Sequence, residues 1–260
     1  MKCLIIAAGQ GQRLRSRTER KPLLPIMGVP LIELVVRTAL EGGASEFVVV
    51  TACDGDRIRS LLDQLAAELS VKITHVLNDR SAEPNGISVL AARQELPEPF
   101  LLVMSDHLLD PSIVVELLAH PPAVGEVTLA VDLDCGNPLV DMDDVTRVSQ
   151  KDGYIKAIGK GIEDYNAFDT GVFYCSPILF DAIERGAAAG DASLTGAMRL
   201  LARENRARAF DIGRKFWLDV DNPSVADMAE RLLCDGLRDL GEHDGFDARL
   251  LVRVLGLLSR

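Results

Sequence analysis

Cys3-Leu-Ile-Ile-Ala-Ala-Gly-Gln-Gly-Gln-Arg13, followed eight residues later by Lys21-Pro-Leu-Leu-Pro-Ile-Met-Gly28, says more about this chain than any other stretch. An apolar run that ends in two small residues and then a glycine-rich turn reads as a buried parallel strand opening into a loop. Gly9 and Gly11 let the backbone approach a ligand closely, and Arg13 and Lys21 set positive charge beside it. That combination suits the phosphates of a nucleoside triphosphate. Two better-known glycine loops are excluded. A dinucleotide fingerprint needs a third glycine where Leu14 stands, and an acidic residue about 20 positions on to hold a ribose. A Walker A loop needs Gly-Lys-Ser/Thr, which no segment supplies.

Strand-like and helical patterns alternate outward from this stretch. Phe47–Thr51, Val71–Leu77, Phe100–Met104 and Val127–Val131 read as strands, and Leu31–Glu41, Gly55–Leu69, Gly86–Glu95 and Pro111–His120 have helical spacing. Such repetition predicts an α/β fold, a parallel sheet covered on both faces, with ligands bound beyond the carboxyl ends of its strands. Arg13, Asn78, Ser105 and Asp106 all follow strand ends and are expected on one rim. The second half is less regular. Val145–Val148 and Tyr154–Ile158 suggest a hairpin, Val172–Cys175 a strand, and Ile178–Ala188 and Ser193–Glu204 helices, with Pro223 opening a last helix to about Leu233. We expect one domain over residues 1–232, with a small lobe inserted over the rim, and a C-terminal helical appendage or linker remnant over 233–260.

The 260 residues are 48% hydrophobic, enough for one substantial core. A net charge of −11 argues against broad nucleic-acid or anionic-membrane binding, so phosphate chemistry must rest on a few local cations. Neither a secretory signal nor a run of roughly 18 apolar residues is visible. The five scattered cysteines (Cys3, Cys53, Cys135, Cys175, Cys234) read as free thiols of a cytoplasmic protein.

Ala7-Ala8-Gly9-Gln10-Gly11-Gln12-Arg13 with Lys21-Pro22-Leu23-Leu24-Pro25 resembles the signature of the nucleotidyltransferases that activate sugar phosphates. The resemblance extends to about residue 232. It implies a Rossmann-like, three-layer nucleotidyltransferase fold with a mostly parallel central sheet, in which an NTP joins a phosphorylated small molecule and pyrophosphate leaves. It also implies that Ala7, Ala8, Gly9, Gly11 and Arg13 contact the nucleotide, with Arg13 and Lys21 holding the triphosphate. A divalent cation, normally Mg2+, bridges phosphates in such chemistry and prefers carboxylates and water. Ser105-Asp106-His107 resembles the family's metal-binding aspartate segment, and Phe216-Trp-Leu-Asp-Val-Asp-Asn-Pro223 its late acidic segment, with Asp221 favoured over Asp219 as second ligand. His107 is a candidate ligand or base, although an ionised phosphate nucleophile needs no base. Asp110-Pro111 reads instead as a helix cap.

Asn85-Gly86-Ile-Ser88, with Asn78 before it, resembles the Asn-Gly-x-Ser segment of cytidylyltransferases, which implies CTP as the nucleotide over UTP or dTTP. Asn85 also suits a helix cap. Val140–Val148, Ile158-Gly-Lys160-Gly and Ala167-Phe-Asp-Thr-Gly171 resemble the CTP:inositol-1-phosphate cytidylyltransferases. By that likeness Lys160 contacts the acceptor phosphate and Asp169 and Thr170 face the polyol. Arg147 and Val145 depart from that branch, where lysine and alanine are expected. One Trp and three Tyr are thin material for the aromatic cage a choline acceptor calls for. Other acceptors weighed are a sugar 1-phosphate and a phosphonate, and a non-enzymatic alternative is a silent nucleotide-binding regulator. Asp244-Gly-Phe-Asp-Ala-Arg249 resembles the opening of membrane CDP-alcohol transferases but lacks that motif's later residues. The tail therefore cannot carry that activity; the likeness to the inositol branch, whose members are often fused to such an enzyme, implies a linker remnant and fusion to, or association with, a membrane CDP-alcohol transferase. The plainer reading is an amphipathic helix packed on the domain or on a second subunit of a homodimer.

Overall fold

The computed structural model describes residues 1–9 and 11–238. In chain order it contains β1 (Lys2–Ala7), β2 (Pro25–Ile26), β3 (Val29–Pro30), α1 (Leu31–Glu41), β4 (Glu46–Ala52), α2 (Asp56–Leu69) and β5 (Lys72–Asn78). Then come α3 (Gly86–Ala91), β6 (Phe100–Met104), β7 (His107–Leu109), α4 (Pro111–Ala119) and β8 (Val127–Asp132). The last part comprises β9 (Arg147–Lys151), β10 (Tyr154–Gly159), β11 (Ala167–Cys175), α5 (Ile178–Ala188), α6 (Leu194–Arg203), β12 (Ala207–Asp211), β13 (Trp217–Asp219) and α7 (Pro223–Arg238).

The main sheet has nine strands in the order β5-β4-β1-β6-β11-β8-β12-β10-β9. Residues of β1 explain why its sequence is unbroken apolar. Leu4 and Ile6 join the cluster containing Val89 of α3, Phe180 of α5 and Met198 of α6. Cys3 and Ile5 join the one containing Val35 of α1, Leu62 of α2 and Ile113 of α4. A strand buried on both faces cannot alternate with polar residues, and each such aliphatic side chain contributes roughly 1.5–3 kcal/mol. These three layers are the ones the sequence led us to expect.

The sheet is mixed. β5, β4, β1 and β6 are parallel neighbours, but β11 lies antiparallel between β6 and β8, and β10 pairs antiparallel with β12 and β9. The expected hairpin forms as β9–β10 and extends the sheet. Asp169-Thr-Gly171, which the sequence suggests is a turn, lies inside β11 at a break in its register with β8. Asp110 caps α4 as expected, accepting from Ser112 N–H at 2.8 Å.

A third apolar cluster joins Leu14, Ile26, Leu108 and Leu218 to Val225, Ala229 and Leu233 of α7. α7 runs through residue 232, where a boundary is expected, to Arg238, and Leu233 is 1% exposed in the core. The rest of the expected appendage, with the Asp244–Arg249 motif, lies outside the described residues. Among the described residues no helix is long and apolar enough to cross a membrane.

Candidate active site

Because β1, β5 and β6 run parallel within one block, their carboxyl ends open on a single rim. After β1 the chain passes through Gly11, at φ 56°, into a short 3-10 turn that carries Arg13. A Cβ on Gly11 would lie 2.5 Å from the Cβ of Lys21. The glycine is thus needed for the loop to fold back onto its own lysine. Across the rim, β7 pairs antiparallel with β13 so that His107 faces Asp219, and Val220 N–H donates to the Asp106 carbonyl at 2.9 Å. That small ladder fixes two acidic segments, distant in sequence, side by side.

Lys21 sits in the middle, 7% exposed. Its Nζ lies 2.7 Å from Asp106 Oδ2 and 3.7 Å from Asp219 Oδ1, and pairs with Asp221 Oδ1. Arg13 Nη2 bridges Asp144 Oδ2 (2.9 Å) and Asp221 Oδ2 (2.8 Å), while Lys160 Nζ reaches Asp144 Oδ1 (2.5 Å). His107 Nδ1 is 2.7 Å from Asp106 Oδ1, and its ring stacks on Trp217 at 6.3 Å between centroids. The indole in turn donates to the buried Asp132 at 2.8 Å.

Charge and burial compete at each of these groups. Burial opposes the Lys21 ammonium, but Asp106, Asp219 and Asp221 outweigh it and hold the amine above its ordinary value. Burial would raise Asp106, yet Lys21 and His107 draw it far below the usual carboxylate range. The His107 imidazolium is likewise disfavoured by burial and rescued by Asp219 and Asp106, which lift it to about 9. Asp219 is pushed up to about 6, by burial first and then by the neighbouring Asp106 and Asp221. Asp144 is held far down by its contacts with the Asp221 carboxyl, Lys160 and Arg13.

Oxygens of Asp144, Asp219 and Asp221 lie within 4.8 Å of one another, as do the ligating atoms of Asp106, His107 and Asp219. Asp219 Oδ1 is buried with no hydrogen-bond partner. An orphaned carboxylate oxygen among crowded like charges fits a hard divalent cation. Asp219 belongs to both groups, so it, with Asp106 on one side and Asp144 and Asp221 on the other, could hold such an ion.

Two cavities meet at this cluster. One of about 410 Å3 lies over the glycine loop and one of about 320 Å3 over the 139–146 loop and β11; both are sized for small ligands. Arg13, Asn85, Met104, Asp106 and Asp221 line both. Of the residues expected at the nucleotide, Ala8, Gly9, Gly11, Ser88 and Ser105 line the first cavity. Three others do not. Ala7 packs into the core on the α1–α2 side of the sheet. Asn78, 3% exposed, donates to Ser88 Oγ (2.9 Å) and accepts from Arg80 N–H (2.9 Å), so its amide orders the loop. Gly86 is where α3 meets the 191–193 turn: a Cβ there would lie 2.2 Å from the Ala192 carbonyl oxygen.

Lys160, Asp169, Asp219 and Asp221 line the second cavity. Asp169 is raised to about 6 by burial, and its Oδ1 accepts from Gly171 N–H at 2.8 Å. Thr170, expected to face a polyol, instead points into the sheet, fully buried, and donates to the Ala130 carbonyl at 2.8 Å. Neighbours on a strand face opposite sides, so Asp169 and Thr170 cannot share a pocket. Asn85 does not cap α3 with its side chain; its Oδ1 accepts from Leu194 N–H at 2.9 Å and ties α3 to α6. Sequence reasoning missed Asp144, whose only signal was its place in the acidic run Asp141-Met-Asp-Asp144. It also missed Ser193 and Thr195 at the start of α6, which line the second cavity.

A family model described as the MobA-like NTP transferase domain matches residues 3–207. The chain belongs to that family. Within it, this MobA-like domain is 33% identical over 232 residues to a Rubrobacter xylanophilus protein named bifunctional IPC transferase and DIPP synthase, covering 88% of this chain and 51% of that one. It spans about half the length of the bifunctional relatives it matches. Its fold is similar to the structure titled inositol-1-phosphate CTP transferase from T. maritima, with TM-score 0.78 and 24% identity over 89% of this chain and 95% of the other. UDP-glucose pyrophosphorylase complexed with UDP-glucose is also similar, with TM-score 0.73 and 20% identity over 90% and 98%. At these identities the two solved structures establish the fold alone.

Proposed function

We propose that this protein transfers CMP from CTP to inositol 1-phosphate in the presence of Mg2+, forming CDP-inositol and pyrophosphate. The observation that carries the reading is the pair of cavities sharing Arg13, Asp106 and Asp221 as a common wall. Two substrates seated there meet at one cluster of cations and carboxylates. The name of the T. maritima structure and the Asn85-Gly-Ile-Ser88 segment support CTP and inositol 1-phosphate as that pair.

The glycine loop receives the triphosphate, whose charge Arg13 and Lys21 balance. Lys160 receives the acceptor phosphate, and the Asp169 carboxyl accepts from a polyol hydroxyl beside it. A phosphate oxygen of the acceptor attacks the α-phosphorus of CTP, the bond from α-phosphorus to the β-phosphate bridge breaks, and pyrophosphate leaves with that electron pair. No protein base is required, because a phosphate monoester is largely a dianion at neutral pH. His107 fits that chemistry: raised to about 9, it keeps its proton and holds Asp106 in place through Nδ1. When bound at Asp106, Asp219 and Asp221, Mg2+ would neutralise phosphate charge and favour the leaving pyrophosphate. Alignment and charge neutralisation are the protein's whole share of the catalysis.

We further place the protein in the cytoplasm, working with a membrane CDP-alcohol transferase that consumes CDP-inositol; relatives about twice its length support a fused form of that partnership. Pyrophosphate release is the test, with CTP, UTP, dTTP and ATP each paired with inositol 1-phosphate, glucose 1-phosphate and phosphocholine. Release confined to CTP with inositol 1-phosphate is the expected result. Release with UTP and glucose 1-phosphate would move the function toward the pyrophosphorylase relatives. Binding of CTP without release from any pair would turn it into a nucleotide-binding regulator.

A further inference from the structure

Arg199, on α6, lies outside both cavities yet holds together the elements that build the second one. Its Nε donates to the Ile158 carbonyl at 2.8 Å, at the end of β10 and two residues before Lys160. Its Nη1 pairs with Asp191 Oδ2 at 3.1 Å. Asp191 Oδ1 in turn accepts from Ser193 Oγ (2.6 Å) and Ser193 N–H (3.1 Å), and Ser193 Oγ caps α6 by accepting from Gly196 N–H (2.9 Å). The next residue, Leu194, is the one whose N–H is held by Asn85. One guanidinium thus ties the strand carrying Lys160 to the helix start carrying Ser193 and Thr195, and through it to α3.

The residue between Ile158 and Lys160 has been fitted to this contact. Gly159 has φ +154°, and a Cβ there would lie 2.5 Å from Arg199 Nη2. A side chain there would strain the backbone and push the end of the guanidinium aside. A lysine cannot replace the arginine fully, because a single ammonium lacks the rigid fork that reaches a carbonyl and a carboxylate at once.

We propose that Arg199 is the positioning residue of the acceptor site, fixing the backbone from which Lys160 reaches the acceptor phosphate. The proposal rests on the reading of the second cavity as the acceptor site. Arg199 touches neither substrate; it acts by keeping Lys160 and the α6 start in one arrangement, where small misplacements carry large kinetic costs.

Steady-state kinetics on the full chain test this with Arg199→Gln, Arg199→Lys and Gly159→Ala, each checked for an intact thermal transition. The acceptor KM is expected to rise about tenfold in Arg199→Gln and Gly159→Ala, with Arg199→Lys between these and wild type. The KM for the nucleotide should stay within about twofold. A merely structural role would move both constants, or neither. Wild-type activity with an unchanged acceptor KM in Arg199→Gln and Gly159→Ala would overturn the role of Arg199 alone. A wild type that transfers to no phosphorylated acceptor would overturn the acceptor reading, and this role with it.

Discussion

Replacing Lys21 by methionine keeps the length of the side chain and removes its charge. The ammonium is nearly buried and faces Asp106, Asp219 and Asp221, so its loss leaves three crowded carboxylates without their shared counter-charge. Removing one partner of a buried ion pair costs about 3–5 kcal/mol. At the lower figure, and with ~2–4 °C per kcal/mol for a domain of this size, Tm should fall by ~6–12 °C in EDTA. Part of that loss is recoverable. A cation bound at the same carboxylates at a concentration 100 times its Kd returns about 2.7 kcal/mol. Wild type should gain less from Mg2+, because its own ammonium competes for those oxygens. Circular-dichroism melts of both proteins, in EDTA and across a Mg2+ titration, provide the assay. The variant should also release no pyrophosphate. A Tm within about 2 °C of wild type in EDTA, or a loss that Mg2+ leaves untouched, would refute the cation site.

Three further outcomes are expected. His107 is raised in the folded state from about 6.5 to about 9, so the stability it contributes is fully present below pH 6.5 and is lost as pH rises through 9. Denaturant unfolding in EDTA should show a fall of roughly 3 kcal/mol between these limits, which His107→Gln flattens; Asp169 and Asp219, raised to about 6, titrate mostly below that window and add only its first small part. Thr170→Val should cost about 1 kcal/mol through the lost bond to Ala130 and leave the acceptor KM unchanged, whereas Asp169→Asn should raise that KM severalfold; the reverse pattern would restore Thr170 to the pocket. Gly86→Ala drives a methyl into the Ala192 carbonyl and should destabilise by about 1–3 kcal/mol in a urea titration, so an unchanged midpoint would contradict the close approach of α3.

The rim and much of its chemistry were legible because short-range pattern encodes them. Unbroken apolar runs named β1, β4 and β6, and residues just past a strand's end in a parallel block must share a rim, which placed Arg13, Ser105 and Asp106 correctly. What failed depends on long-range pairing or on facing. β7 and β13 are three residues each, too short to show alternation, yet their pairing is what brings Asp219 and Asp221 to Asp106. Asp169-Thr-Gly171 has the pattern of a turn, but β11 puts Asp169 and Thr170 on opposite faces. Asn78 follows a strand end and carries an amide suited to a base, but its burial, which no local pattern shows, gives that amide to the loop. Asp144 follows no strand end, and nothing local distinguishes it from Asp141 or Asp143. Its role emerges only when Arg13 and Lys160, far apart in the chain, close around it.

Mass spectrometry of the product made from CTP and inositol 1-phosphate labelled with 18O at the non-bridging phosphate oxygens tests the proposed reaction most directly. Attack of the acceptor phosphate on the α-phosphorus retains every labelled oxygen in CDP-inositol and leaves pyrophosphate unlabelled. Label in the pyrophosphate, or CMP formed with the acceptor unchanged, would contradict nucleotidyl transfer at this site.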